Sequence, residues 1–263
     1  MNKMTRFLGK KLAHFLSQKN RHIGLVPATN SHKLMACLQP GDVFLVEGHT
    51  RFSTAIQYLT QSTWSHSAMF VGFRWPNDSA RTDHCFVEAD VEEGVRSIGL
   101  SEFAQLQSRI CRPVGLSHQE REQLCQFVLN RIGYQYDLKN VLDLARYLLP
   151  TPPVPKGMRR QLLERFGSGD PSRAICSTLI AQAFESLSYP ILPNLDYYDP
   201  SHTLVEPLKM KHFSYIVPRD YDVSPYFQVV KPTLEMGFDF KKQVTACRLN
   251  RNDCDFNRLN TCI

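Results

Sequence analysis

Three side chains in this sequence have the types needed for acyl transfer: a cysteine, a histidine and a carboxylate. Cys176 lies near the start of a stretch with helical periodicity, His66 begins a buried apolar run, and Glu88 lies within the next such run. A cysteine hydrolase needs a thiolate, an imidazole that takes and returns its proton, and a polar group that orients the imidazole. The order of the three along the chain is free, because folding brings them together.

The stretch 174–187 predicts an amphipathic helix. Its apolar stripe consists of Ile175, Leu179, Ile180, Phe184 and Leu187. The turn and N-cap residues Asp170-Pro171-Ser172 come just before it, so Cys176 falls in the first helical turn. Unpaired amide hydrogens and the helix dipole favour a thiolate there, the dipole by roughly 0.3–1 kcal/mol. The alternative interpretation is a small core residue, since Cys176 also aligns with Ile180, Ala183 and Leu187.

The histidine and the acid belong to a predicted antiparallel meander. The run after His66 indicates a buried strand, with a hairpin-like loop at 75–83 and further strands at 85–89 and 94–98. Neighbouring antiparallel strands would place the Glu88 carboxylate behind the imidazole. A solvated acid on an outward strand face is the alternative for Glu88.

The rest of the chain alternates predicted short strands and helices. We expect a polar linker at 27–33, strands at 43–46, 108–114 and 213–217, a turn at 218–220, an extended segment at 226–230, and helices at 50–59, 101–106 and 117–132. The last of these helices has a capping box, in which Ser117 is followed three residues later by Glu120.

Composition indicates a globular protein in a reducing compartment. The chain has 263 residues, 43% hydrophobic and 21% charged, with a formal net charge of +6. This charge is spread along the chain, so nucleic acid is not an expected partner. Eight cysteines without a C-x-x-C pair predict free thiols rather than a zinc site. No signal peptide or membrane span is recognisable, which predicts a cytoplasmic location.

The N-terminal segment combines basic residues with an apolar stripe over residues 4–16. It is either a helix docked on the domain or a peripheral anchor for anionic lipid. We therefore divide the chain into this segment and its linker (1–37), a main domain (38–240) with a helical insert (138–171), and a polar tail (241–263).

Five short motifs, in order, carry a resemblance to a known family. They are Pro40-Gly41-Asp42 with its strand, residues 64–72, Val87-Glu88-Ala89, residues 133–137 and Ile175-Cys176-Ser177. Together they resemble the circularly permuted branch of the NlpC-type papain-like cysteine hydrolases, the YiiX/YebB-like group, over roughly residues 38–230.

The resemblance implies a papain-like α+β fold, in which an antiparallel sheet or barrel packs against helices and the nucleophile opens a helix. By position, Cys176 matches the nucleophile, His66 the base and Glu88 the orienting residue. Tyr136 is a candidate oxyanion donor by analogy, with Tyr134 as an alternative, and a structural turn tyrosine is an equal interpretation of either. No metal or organic cofactor is implied.

The predicted function is a cysteine hydrolase of the amidase or peptidase type that forms a thioester acyl-enzyme. Its substrate would be a small molecule, a peptide or a lipid amide. Two alternatives stay open: a lipid acyl hydrolase or acyltransferase at a membrane surface, and a non-catalytic binding module that retains the cleft.

Overall fold

The structure is a computed structural model, and it describes residues 18, 31–75, 77–134, 175–193 and 211–239. Over these residues the chain forms a six-stranded antiparallel sheet with helices against it, which confirms the α+β class. The predicted insert at 138–171, the cap at 170–172, the membrane-contact residues 4–16 and the tail at 241–263 lie outside the described residues.

The sheet is built from β1 (Val43–Val46), β2 (His66–Phe70), β3 (His84–Asp90), β4 (Gly94–Gly99), β5 (Ser108–Pro113) and β6 (Phe227–Val230). The α-helices of the described residues are α1 (Ser31–Cys37), α2 (Arg51–Thr60), α3 (His118–Leu129), α4 (Ile175–Ser186), α5 (Pro218–Val223) and α6 (Pro232–Glu235). Two short 3-10 helices span Leu100–Phe103 and Phe213–Tyr215. None of the helices in the described part of the chain has the length and apolar character needed to cross a bilayer.

The strand order is β4-β3-β2-β1-β5-β6, so β2, β3 and β4 form the predicted meander. Val46 of β1 lies opposite His66 of β2, and Ala68 of β2 lies opposite Glu88 of β3. Because side chains alternate along a strand, His66, Ala68 and Glu88 share one face of the sheet.

The two faces of the sheet carry separate cores. On the first face, Leu45, Met69 and Val87 pack against Leu124 of α3 and Ile180 of α4. The second face is lined by aromatic and aliphatic side chains, namely Leu34, Phe44, Phe70, Phe86, Phe103 and Ile110. Helix α4 therefore covers the face opposite to the one that carries His66.

The Pro40-Gly41-Asp42 motif fixes the end of the sheet that is remote from His66. Gly41 has φ +88°, a conformation that favours glycine, and its N–H donates to Phe70 O at 2.9 Å. The fully buried Asp42 accepts from Arg112 Nε and Nη2 at 3.0 and 2.8 Å. Burial outweighs this pairing and raises the pKa of Asp42. The motif thus connects the beginning of β1 to β2 and β5 and has a structural role.

Most predicted elements have their expected place. Strand 43–46 is observed as predicted, and helix α2 is shifted by one residue with Thr50 as its N-cap. The capping box of α3 is present: Ser117 N–H donates to Glu120 Oε2 at 2.7 Å, and Glu120 N–H donates to Ser117 Oγ at 3.3 Å.

Three local predictions were wrong. Residues 213–217 are not a strand but contain a 3-10 helix, and the predicted turn at 218–220 begins α5. Proline is well suited to the first helical position, and Asp220 Oδ2 accepts the Val217 N–H at 3.0 Å, as an N-terminal cap does. Residues 31–33 of the predicted linker at 27–33 belong to α1, whose Leu34 packs on the second face.

Replacing Ser117 by alanine should lower the free energy of unfolding by about 1 kcal/mol, because the first turn of α3 loses its side-chain acceptor. Urea denaturation measures this change. The control is Ser79→Ala, an exposed loop serine that should change stability far less. Equal effects of the two substitutions would show that the cap contributes nothing.

Candidate active site

The structure brings His66 and Glu88 into direct contact. His66 begins β2 and Glu88 lies in β3, one diagonal step away on the same face of the sheet. The distance from His66 Nε2 to Glu88 Oε2 is 2.6 Å. The histidine side chain is 24% exposed and the carboxylate 4%. A buried acid therefore holds a partly accessible imidazole, and the solvated-acid interpretation of Glu88 does not apply.

A third residue, Arg96, completes this cluster and was not singled out from the sequence. Arg96 lies on β4 directly opposite Glu88. Its Nε and Nη2 atoms lie 2.9 and 2.8 Å from Glu88 Oε1, the oxygen that His66 does not contact. Once β3 and β4 are paired in this register, the alternation of side chains along each strand places Arg96 beside Glu88. The register itself cannot be predicted from the sequence.

The neighbouring His66 and Arg96 lower the pKa of Glu88. Burial is the largest single influence and raises the pKa, but the charges and hydrogen bonds of His66 and Arg96 together outweigh it. Glu88 is consequently ionised at neutral pH and accepts hydrogen bonds from both neighbours.

The hairpin between β3 and β4 holds Arg96 in place. Asp90 Oδ1 accepts the N–H groups of Glu92 and Glu93 at 2.7 and 2.9 Å, and Gly94 turns the chain with φ +79°. Glu93 in turn accepts from Arg96 Nη1 at 2.9 Å. The guanidinium is thus held by Glu88 of β3 and by Glu93 in the turn of the hairpin.

A pocket of about 230 Å³ opens beside this cluster. His66, Glu88 and Arg96 line it together with polar side chains of Ser65 and Glu102. Its apolar wall is formed by Phe52, Val91, Ile98, Phe103 and Leu106. A concave site that combines apolar walls with a few convergent polar groups is the usual form of a small-molecule or substrate site.

Cys176 is the second residue of α4, so its backbone lies in the first turn, as the periodicity predicts. For this residue the structure describes the backbone and not the side chain. The next residue, Ser177, is fully buried, and its Oγ donates to Ile216 O at 2.7 Å. Tyr221 OH donates to Ser177 O at 3.1 Å. These two bonds fix the beginning of α4 against α5 and the residues before it.

Helix α5 also holds the segment that leads into His66. Trp64 Nε1 donates to Asp222 Oδ2 at 3.0 Å. Arg109 pairs with Asp222 Oδ1 at 2.5 Å, and its guanidinium carbon lies 4.9 Å from the centre of a Trp64 ring. The beginning of α4 and the beginning of β2 are therefore both attached to the same short helix.

Comparison with known families adds to this geometry. Residues 37–147 match the model of the permuted papain-like amidase enzymes, the YaeF/YiiX or C92 family. The match confirms the predicted resemblance to this family over these residues, which are less than half of the chain. It also supports the predicted enzyme class, a cysteine amidase or peptidase-type enzyme.

One solved structure of similar fold is described as that of the metalloprotein YiiX from Escherichia coli O157:H7. It shares 20% sequence identity, covers 73% of this chain and 96% of its own, and superposes with a TM-score of 0.45. No curated protein sequence matches the chain.

The first two residues of the motif at 133–137, Gly133 and Tyr134, lie along the outer edge of β4, and the others lie outside the described residues. Gly133 N–H donates to Val95 O at 2.8 Å, and Val95 N–H donates to Tyr134 O at 3.0 Å. Tyr134 itself is largely exposed. Tyr136, the predicted oxyanion donor, lies outside the described residues.

Buried thiols elsewhere in the described residues are unsuited to nucleophilic chemistry. Burial raises the pKa of Cys85 and of Cys125 to about 11, and it raises that of Cys111 as well. Cys85 and Cys125 are core residues, as the sequence suggests. Within the described ranges no group of histidine, cysteine and acidic side chains is arranged to hold a metal ion.

Glu88 makes the pH dependence of stability testable. Because its pKa in the folded protein lies below the ordinary value of 4.5, its ionised form stabilises the fold above that pH, and this contribution is lost as the pH falls through the folded pKa. Between pH 7 and pH 3, the stability of Glu88→Gln should therefore fall less than that of the unsubstituted protein, as measured by urea denaturation.

Glu185→Gln is the matched control, since Glu185 is an exposed carboxylate near the end of α4. Its stability should follow that of the unsubstituted protein across the pH range. If the stability of Glu88→Gln changed with pH in parallel with that of the control, this would contradict the lowered pKa assigned to Glu88.

Proposed function

We propose that this protein is a cysteine hydrolase of the amidase or peptidase type, in which Cys176 is the nucleophile, His66 the base and Glu88 the orienting residue. The observation that carries the proposal is the 2.6 Å contact between His66 and the buried Glu88, which lines a pocket. A buried acid behind a partly exposed imidazole is the arrangement that a thiol nucleophile requires of its base.

The backbone supports convergence of Cys176 on this pair. Helix α4 lies on the face of the sheet opposite to His66, so the thiol and the imidazole can meet only past the end of the sheet, where β2 begins. Helix α5 attaches the first turn of α4 and the Trp64 segment to one another at that end. In the proposed site, Cys176 approaches His66 across this boundary.

The roles of the two ring nitrogens follow from the contact with Glu88. An ionised carboxylate accepts from Nε2–H, so Nδ1 is the nitrogen that exchanges a proton with the thiol. The negative charge of Glu88 also favours the imidazolium form, which favours a thiolate–imidazolium pair.

The proposed reaction has two halves. The Cys176 sulfur attacks the amide carbonyl, and a C–S bond forms; His66 then gives its proton to the leaving amine as the C–N bond breaks. In the second half His66 takes a proton from water, the hydroxide adds to the thioester carbonyl, and the C–S bond breaks to release the acid and the Cys176 thiolate, which restores the thiolate–imidazolium pair. The backbone N–H of Cys176, with Tyr136 as a candidate second donor, would bind the oxyanion.

The substrate in this proposal is a small molecule, a peptide or a lipid amide whose acyl group enters the pocket. The apolar wall of Phe52, Ile98 and Phe103 provides contact for a hydrocarbon portion. We also propose that the protein is related to the NlpC-type papain-like enzymes and that it is located in the cytoplasm.

Iodoacetamide should alkylate Cys176 faster than the other thiols, and at a pH below the ~8.5 of a free cysteine. The rate at each cysteine is measured by peptide mass spectrometry over a pH series. Cys85, Cys111 and Cys125 should react slowest, because burial raises their pKa. A panel of fluorogenic amides and esters then identifies a turnover substrate.

On that substrate, Cys176→Ala should abolish turnover, and His66→Ala should reduce it about 10²–10⁴-fold. Cys37→Ala, at a half-buried free cysteine on α1, is the matched control and should keep full activity. Full activity of Cys176→Ala would refute the proposal. Alkylation of Cys176 no faster than that of Cys37 would favour the binding-module alternative.

The alternative of a lipid acyl hydrolase or acyltransferase at a membrane surface has one specific observation in its favour, the basic residues beside the apolar stripe at 4–16. Peripheral binding to anionic lipid would combine apolar insertion with charge attraction. Sedimentation with phosphatidylserine-containing vesicles should then require Lys10 and Lys11, and the double substitution to glutamate should abolish it. Equal sedimentation of both proteins, or no sedimentation of either, would argue against a membrane surface as the site of action.

A further inference from the structure

We propose that Arg96 is a positioning residue of this site: it occupies Oε1 of Glu88, keeps the carboxylate charged, and thereby sets the tautomer of His66. The inference rests on the proposed function and extends it to a residue outside the three assigned roles. It is carried by how the carboxylate is shared between its two neighbours.

Arg96 and His66 divide the carboxylate between them. Both guanidinium contacts, from Nε and Nη2, go to Oε1, and the imidazole contact goes to Oε2. Glu88 lies between the two in the sheet, directly opposite Arg96 on one side and diagonal to His66 on the other. A carboxylate held by one oxygen through a rigid fork presents its other oxygen in a fixed direction.

The charge of Arg96 decides which group holds the proton. Glu88 is 97% buried, and an isolated buried carboxylate lowers its free energy by taking up a proton. The nearest proton is that of His66 Nε2–H. If the imidazolium gave this proton to Glu88, the ring left behind would be neutral, with its one hydrogen on Nδ1, and would no longer accept a proton there. Arg96 prevents this exchange because it stabilises the charged carboxylate.

Other charged groups around His66 do not replace Arg96. Those on β3 and in the pocket, Asp90 and Glu102, are acids, and Glu93 in the hairpin is an acid as well. Cys176, on α4, is the thiol of the proposed pair. In the described residues that line the pocket, Arg96 is the one guanidinium or ammonium group.

The test uses the full chain with Cys176→Ala, so that thiol ionisation does not enter the titration. Nitrogen-15 and proton NMR of the His66 ring report its tautomer and its pKa. With Arg96 present, the neutral ring should carry its hydrogen on Nε2. With Arg96→Gln, the Nδ1–H tautomer should become the major neutral form, and the apparent pKa of the His66–Glu88 pair should rise by about one unit, since a nearby positive charge is removed.

Arg96→Lys keeps the positive charge but not the two-nitrogen contact of the guanidinium. The pKa rise in this variant should therefore be at most half of the rise in Arg96→Gln. Arg74→Gln is the matched control, because Arg74 forms a comparable two-oxygen pair with Glu122 away from the pocket. It should leave tautomer and pKa unchanged. In the chain with Cys176 intact, Arg96→Gln should lower kcat about 10–100-fold, Arg96→Lys should lower it less, and Arg74→Gln should leave it unchanged.

An unchanged tautomer and pKa in Arg96→Gln would overturn the positioning role, whatever the activity. Should Arg96→Gln not fold, Arg96→Met is titrated in its place, because it removes the charge and keeps an unbranched side chain. The Nδ1–H tautomer as the major neutral form of that variant supports the role, and an unchanged tautomer overturns it. If Cys176→Ala retains full activity, the proposed function fails, while the titration still reports whether Arg96 sets the state of His66.

Discussion

A carboxylate in the interior of a protein persists as an anion only if neighbouring cations and donors compensate for the water it has lost. In this structure Glu88 is such a carboxylate, and its compensation depends on both neighbouring strands. One strand supplies the imidazole, the other supplies the guanidinium, and the hairpin keeps the guanidinium in place. The candidate site is therefore a property of three adjacent strands rather than of one loop.

The same physical problem is solved differently at the far end of the sheet. Asp42 is also fully buried and also paired with arginine, but its partner cations lie on β5 and α3, and no imidazole of the described residues contacts it. Burial prevails there and raises the pKa, whereas His66 and Arg96 prevail at Glu88 and lower it. Two buried acids in one sheet thus differ in role, because one joins structural elements and the other faces a pocket.

The sequence was most informative where local signals and long apolar runs agree. The capping box of Ser117 and Glu120, the cap at Thr50 and the meander from His66 to residue 98 are all local patterns with a direct structural meaning. The pairing of His66 with Glu88 was expected because antiparallel neighbours must come close. Arg96 was missed because its role depends on register, and α5 was missed because Pro218 reads equally as a turn residue and as a helix start.

The backbone bonds between Val95 and residues 133–134 have a consequence for how this sheet meets other chains. A strand at the margin of a sheet normally offers free amide and carbonyl groups that a foreign strand can adopt. At Val95 both groups are already satisfied from within the molecule. An extended peptide from solvent therefore cannot add to the sheet at Val95, the residue next to Arg96, unless it displaces residues 133–134.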